Sequence, residues 1–143
     1  MEYFGLIFAF GAALTWGIVY AIDQKILTEL SPLALLFVQS IVTVIVLAPF
    51  VASESGLFES IRNITKPTFA FMGVSLLLTI VANMLILYSI QYLGAATASM
   101  LEITYPIFVV LVGLVLFGTF PNPYVLFGGG VILLGAMIVS YFA

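Results

Sequence analysis

The sequence contains no cysteine and no histidine. The first absence excludes disulfide bonds and thiol catalysis, and the second excludes imidazole acid–base chemistry. Together they remove the commonest zinc ligands. We therefore expect no metal site, no cofactor and no enzymatic activity, because catalysis would depend on a single carboxylate inside lipid.

Charged residues are also scarce, at 6% of 143 residues, whereas 64% are hydrophobic. Soluble domains carry about 25% charged residues. This chain could not cover its surface in water, so its solvent must be lipid. The net charge of −3 leaves no basic patch for nucleic acid. Glu102 alone lies well inside an apolar run. The other charged residues lie at or near the edges of such runs: Glu2, Asp23, Lys25, Glu29, Glu54, Glu59, Arg62 and Lys66.

Five apolar runs are long enough to cross a bilayer, which takes about 20 helical residues. We expect one all-α membrane domain over residues 1–143, with spans at about 3–22, 32–51, 68–92, 95–117 and 123–142. The first run lacks a positively charged start, so we expect it to be retained rather than cleaved as a secretion signal.

Ser31-Pro32 and Asn122-Pro123 are typical helix starts, with a capping side chain followed by proline.

The longest connection, residues 52–67, carries apolar residues at helical spacing. It forms either a short helix on the membrane surface or an ordinary loop.

An odd number of spans places the termini on opposite sides of the membrane. The N-terminal side then carries Arg62 and Lys66, and the other side carries Lys25 alone. This count favours a cytoplasmic N-terminus only slightly, and dual insertion stays open. Many transporters consist of two inverted repeats, so an antiparallel homodimer of this chain could supply both. A monomer or a parallel dimer is the alternative.

Short signatures are distributed over the whole chain. They are Leu14-Thr15-Trp16-Gly17 with Lys25, Ser31-Pro32-Leu33, Tyr88 with Gly94–Ser99, Tyr105-Pro106, and Gly128–Gly135. In this order they resemble one five-helix repeat of the EamA-type drug/metabolite transporter superfamily. The resemblance implies a five-transmembrane-helix bundle that is half of a ten-helix inverted-repeat transporter, with a central substrate cavity and alternating access.

Two positions depart from the pattern of that family. Gln39 stands where relatives often have arginine in the second span. Gly118-Thr119 stands where they often have glycine followed by glutamate. Substrate and coupling rules of the family are therefore not transferred to this chain.

Glu102 is the strongest functional signal. A charged acidic side chain within a span costs about 2.5–3.5 kcal/mol on insertion scales. Pro106 lies four residues later and has no N–H for the Glu102 carbonyl, so we expect a helix kink at Pro106. Glu102 is either a proton- or cation-responsive group beside a substrate path or a protonated acid that hydrogen-bonds between helices.

Trp16, Tyr20 and Asp23 share one face of the first span. Trp16 lies mid-span, where it could stack on a cationic or aromatic substrate or simply pack. Asp23 and Lys25 lie nearer the interface, and we expect both to be solvated.

The second and third spans carry polar side chains at four-residue spacing, Gln39 with Thr43 and Ser75 with Thr79 and Asn83. They either line a cavity or bond between helices. In the last span, Gly128–Gly130 and Gly135 permit close helix contact, and we expect a dimer face there.

These observations favour a secondary transporter of small organic solutes or metabolites in the cell membrane. We expect it to work by alternating access as a homodimer, with proton coupling as one possibility. An uncoupled pore and a non-transporting membrane assembly protein are the alternatives. The candidate substrate or coupling residues are Glu102, Trp16, Tyr20, Gln39, Asn83 and Tyr105, and Pro106 is the candidate kink. Partners are the lipid bilayer, a small solute and a second copy of the chain.

Overall fold

Helices account for every apolar run, because a backbone in lipid must satisfy its own hydrogen bonds. The computed structural model describes residues 2–142. In that range the elements are α1 (Glu2–Ile26), α2 (Pro32–Ser53), α3 (Leu57–Arg62), α4 (Lys66–Leu93), α5 (Ala95–Glu102), α6 (Tyr105–Phe117) and α7 (Pro123–Phe142).

Five segments of the described chain are long and apolar enough to cross a membrane, which confirms the prediction of an all-α protein with five spans. Helix α1 runs on to Ile26 and helix α2 to Ser53, beyond the predicted span ends. The fourth span, Ala95–Phe117, consists of α5 and α6 in succession.

Two helices begin at the predicted capping residues. The Ser31 hydroxyl accepts a hydrogen bond from the Ala34 N–H at 3.3 Å, ahead of α2. The Asn122 side-chain oxygen accepts one from the Tyr124 N–H at 3.0 Å, ahead of α7. Each side chain satisfies one of the donors that a helix start leaves without a partner.

The connection between α2 and α4 contains helix α3. It begins after Gly56, whose φ of +95° is in the region that glycine tolerates best. Phe58 and Ile61 are both exposed. Of the two alternatives for this segment, the structure has the helix, and its position at the membrane surface stays a prediction.

The chain divides into two compact units. The first comprises residues 2–25 and 89–142, with α1, the end of α4, and α5 to α7. Within it α5 packs against α7. Its buried residues include Ala95, Ala98 and Ala136, whose small side chains permit close helix approach. The second unit, residues 26–88, comprises α2, α3 and most of α4.

Gly94 separates α4 from α5. Its φ of +80° and ψ of +157° fall in a region of backbone space that is essentially restricted to glycine. A Cβ at this position would contact the Gln24 side-chain oxygen at 3.5 Å, an ordinary packing distance. The requirement for glycine is therefore conformational rather than steric.

We expect Gly94→Ala to lower the free energy of unfolding by about 1–3 kcal/mol, the usual cost of a residue forced into a sparsely populated backbone region. Thermal unfolding in detergent, followed by circular dichroism, measures the change. Gly73→Ala is the control, because Gly73 lies within α4 and a Cβ there meets nothing within 4 Å. Equal stability of the two variants would contradict the conformational requirement at Gly94.

Candidate functional site

The Glu102 carboxyl group lies at a helix interruption. Helix α5 ends at Glu102, and α6 begins at Tyr105 with Pro106 in its first turn. Pro106 cannot donate to the Glu102 carbonyl, so the regular pattern of helical bonds stops there. The side chain itself is half-buried.

Glu102 bonds to a residue far away in sequence. The Tyr20 hydroxyl donates to Glu102 Oε2 at 2.7 Å, joining α1 to α5 within the first unit. A hydrogen bond to a carboxylate is among the stronger ones in proteins. Of the candidate residues, these two are joined directly.

An aromatic pair continues from this bond along α1. The rings of Trp16 and Tyr20 have centroids 5.5 Å apart and are tilted by 48°. Trp16 is 51% exposed, whereas Tyr20 is half-buried. The ring pair and the carboxyl group therefore form one local site, with an aromatic surface on one side and a negative or protonated acid on the other.

The expectation of a solvated end is wrong for Asp23, which is only 4% exposed. Helix α1 continues to Ile26, so Asp23 and Lys25 both lie in its last turn, but the protein covers Asp23. Lys25 is exposed as expected. Besides the half-buried Glu102, the first unit thus contains a buried carboxyl group on the same face of α1 as Tyr20.

Tyr105 is the first residue of α6 and is 59% exposed. It follows Glu102 by one turn, immediately after the helix interruption.

Gln39 and Asn83 belong to the second unit, and both are half-buried. The Gln39 carbonyl accepts from the Thr43 hydroxyl at 2.7 Å. The Asn83 amide donates to the Thr79 carbonyl at 2.9 Å, and the Thr79 hydroxyl donates to the Ser75 carbonyl at the same distance. The side chains of Thr43, Thr79 and Asn83 therefore bond to carbonyls of their own helices.

Sequence reasoning missed Gln24. Its side-chain oxygen accepts from the Ala95 N–H at 2.6 Å, so a residue of α1 caps the start of α5. The signal was present, because α5 starts after glycine and has no Ser, Thr, Asp or Asn in the capping position. Such a start requires an acceptor from elsewhere.

An apolar groove lies between α6 and α7, with a volume of about 470 Å³. Pro106, Ile107 and Leu133 line it together with Gly128–Gly130. A Cβ on Gly129 would meet the Ile107 side chain at 3.9 Å. Gly129 therefore faces α6 of the same chain at this point, and the groove lining that the structure describes has no charged side chain.

The sequence profile of the EamA-like transporter family matches residues 3–141. The chain belongs to the EamA-like transporter family. Because this is a family of membrane transporters and the chain has five apolar helices of spanning length, it is a multi-pass integral membrane protein. Comparisons with curated proteins and with solved structures found no match for the chain.

Thr119 has a local structural role in this EamA-like chain. Its hydroxyl donates to the Gly113 carbonyl at 3.0 Å. Gly118, with φ of +63°, turns the chain just before it. Thr119 therefore caps the end of α6.

We expect Tyr20→Phe to lower the free energy of unfolding by about 1 kcal/mol, because hydrogen bonds between transmembrane helices contribute roughly 0.6–1.7 kcal/mol. A double-mutant cycle with Glu102→Met, which removes both carboxyl oxygens, isolates the pair when it is measured by reversible unfolding in mixed micelles. Additive effects of the two substitutions would show that the hydroxyl and the carboxyl group are not coupled.

Proposed function

We propose that this EamA-like protein is a secondary transporter of small organic solutes, working by alternating access as a homodimer, with Glu102 as its proton-responsive group. The observation that carries the proposal is the 2.7 Å bond from the Tyr20 hydroxyl to Glu102 at an interrupted membrane helix.

The position of Glu102 supports a role in coupling. An ionised carboxylate is costly within a span, so protonation and the approach of a cationic group both relieve the same penalty. A proton and a cationic solute would then compete for one carboxyl group. Interrupted helices are tolerated at membrane depth only where protein or a water-filled cavity surrounds them. Glu102 fits both points, because its ionised form is costly within a span and it adjoins an interrupted helix. It is therefore suited to bind a proton and a solute in turn.

The aromatic pair supports a preference among solutes. Trp16 exposes half of its surface beside Tyr20, and aromatic faces attract cations and stack on flat apolar groups. No lysine or arginine lies in the middle of a span to bind an anion. Cationic, amino-acid-like or hydrophobic solutes therefore suit the site best.

A homodimer supplies the repeat that alternating access requires. Five spans correspond to one repeat of an inverted-repeat transporter. The loop charges, Arg62 and Lys66 against Lys25, bias insertion only weakly. Two copies inserted in opposite orientations would restore the inverted symmetry.

We expect Glu102→Gln to abolish the dependence of solute uptake on the proton gradient, because an amide does not gain or lose a charge by binding a proton near neutral pH. Uptake into proteoliposomes, with and without an imposed pH difference, measures this. Glu54→Gln is the control, since Glu54 follows α2 as an exposed capping residue. Unchanged gradient dependence in Glu102→Gln would reject the coupling role.

Counterflow separates a carrier from a pore. Proteoliposomes preloaded with unlabelled solute should accumulate labelled solute transiently and saturably. This is because the binding site of a carrier opens to one side of the membrane at a time, so it returns carrying a solute from the other side. Flux that rises linearly with concentration and shows no counterflow would instead establish the uncoupled pore.

The native chain has no cysteine, so single-cysteine variants need no further changes. A variant with a cysteine inserted directly after Met1 and the variant Ala143→Cys, each treated with an impermeant maleimide from outside the cell, should both react if the dimer is antiparallel. Reaction of only one terminus would rule out dual topology.

A further inference from the structure

Helix α5 is a short segment that is interrupted at both ends. Gly94 separates it from α4, and residues 103–104 separate it from α6. Each end bonds to α1: the Ala95 N–H donates to Gln24 at 2.6 Å, and Glu102 accepts from the Tyr20 hydroxyl at 2.7 Å. Helix α1 therefore holds this segment at its first and last residues.

The spacing of these four residues places both bonds on a single helix–helix contact. Tyr20 and Gln24 are four residues apart, so they lie on one face of α1. Ala95 and Glu102 are seven residues apart, which is close to two turns of about 3.6 residues each, so they too share a face. Two bonds between the same two faces determine both the rotation and the axial position of α5.

No local side chain can replace the Gln24 bond. The residue before α5 is Gly94, which has no side-chain acceptor, and the structure shows no side-chain cap from it. A Cβ at position 94 would stand at an ordinary packing distance from the Gln24 side-chain oxygen, so glycine is needed there for its backbone conformation and not to make room for Gln24. The Ala95 N–H therefore takes its side-chain acceptor from α1.

We propose that Gln24 is a positioning residue for Glu102. By capping α5 it sets the place of the carboxyl group two turns away, so that Oε2 meets the Tyr20 hydroxyl. Gln24 acts through the helix and does not touch the solute. Its consequence for transport rests on the proposed function, whereas the placement of Glu102 does not.

Chemical labelling of the Glu102 carboxyl group tests the proposal without a transport assay. Dicyclohexylcarbodiimide is an apolar reagent that modifies carboxyl groups within membranes. The protein in lipid nanodiscs is treated with it at fixed pH, and the rate is read from the peptide that contains Glu102 by mass spectrometry. Asp23, a buried carboxyl group, lies on α1 and can be read on a separate peptide.

We expect Tyr20→Phe and Gln24→Met each to raise the initial labelling rate of Glu102 roughly fivefold to tenfold. That change corresponds to about 1.0–1.4 kcal/mol of lost interaction at 25 °C. The double variant should label no faster than the faster single variant. Tyr20→Phe removes the Tyr20–Glu102 bond directly, and Gln24→Met removes the same bond by displacing Glu102. Gln24→Glu keeps an Oε1 acceptor and should restore the slow rate.

Ser31→Ala is the matched control. It removes a side-chain cap of the same kind from α2, in the other unit, and should leave Glu102 labelling unchanged. If Gln24→Met fails to fold by circular dichroism, Gln24→Asn supplies the test, since it keeps the amide but is one methylene shorter. A wild-type labelling rate in the Gln24 variant would overturn the proposal. So would a rate increase in the double variant that equals the product of the two single-variant increases.

Failure of the proposed function gives a different pattern. If Glu102→Gln leaves the gradient dependence of uptake unchanged while labelling follows the expected pattern, Gln24 positions a carboxyl group that does not couple transport. If the gradient dependence of uptake requires Glu102 but the labelling rate does not change in the Gln24 variants, the coupling role of Glu102 is supported and the positioning role of Gln24 is rejected.

Discussion

The constraint on which this structure depends is the absence of water from the bilayer interior. Every backbone and side-chain polar group there must find its partner within the protein. Thr15, Thr79 and Asn83 meet this requirement by bonding to carbonyls of their own helices. The start of α5 and the carboxyl group at its end meet it with side chains from α1. The contact between these two helices is therefore a consequence of polar groups at membrane depth.

The same constraint acts at the interruption of the fourth span. Pro106 removes one backbone donor, and the chain passes through residues 103–104 before α6 begins. An interruption of this kind costs free energy in lipid unless protein or water satisfies the backbone groups that it frees. Glu102 lies at the boundary, where the Tyr20 hydroxyl donates a hydrogen bond to its carboxyl group.

Membership of the EamA-like transporter family gives the class of this protein, whereas the local geometry gives contacts that belong to this chain. The family match over residues 3–141 establishes a membrane transporter. The Tyr20–Glu102 bond and the Trp16 ring beside it are properties of this chain. After Gly118, the Thr119 hydroxyl caps α6.

The number of spans, their helical nature and the caps at Ser31 and Asn122 were all determined by sequence, because hydropathy and capping chemistry act over short distances. Glu102 and Tyr20 could also be named as candidates from their depth in apolar runs. Their pairing could not, since they are 82 residues apart and only tertiary packing decides which faces meet. The same holds for the burial of Asp23 and for Gln24. An ordinary glutamine near a helix end became the cap of α5 only because α1 packs where Gly94 leaves a backbone N–H without a local acceptor.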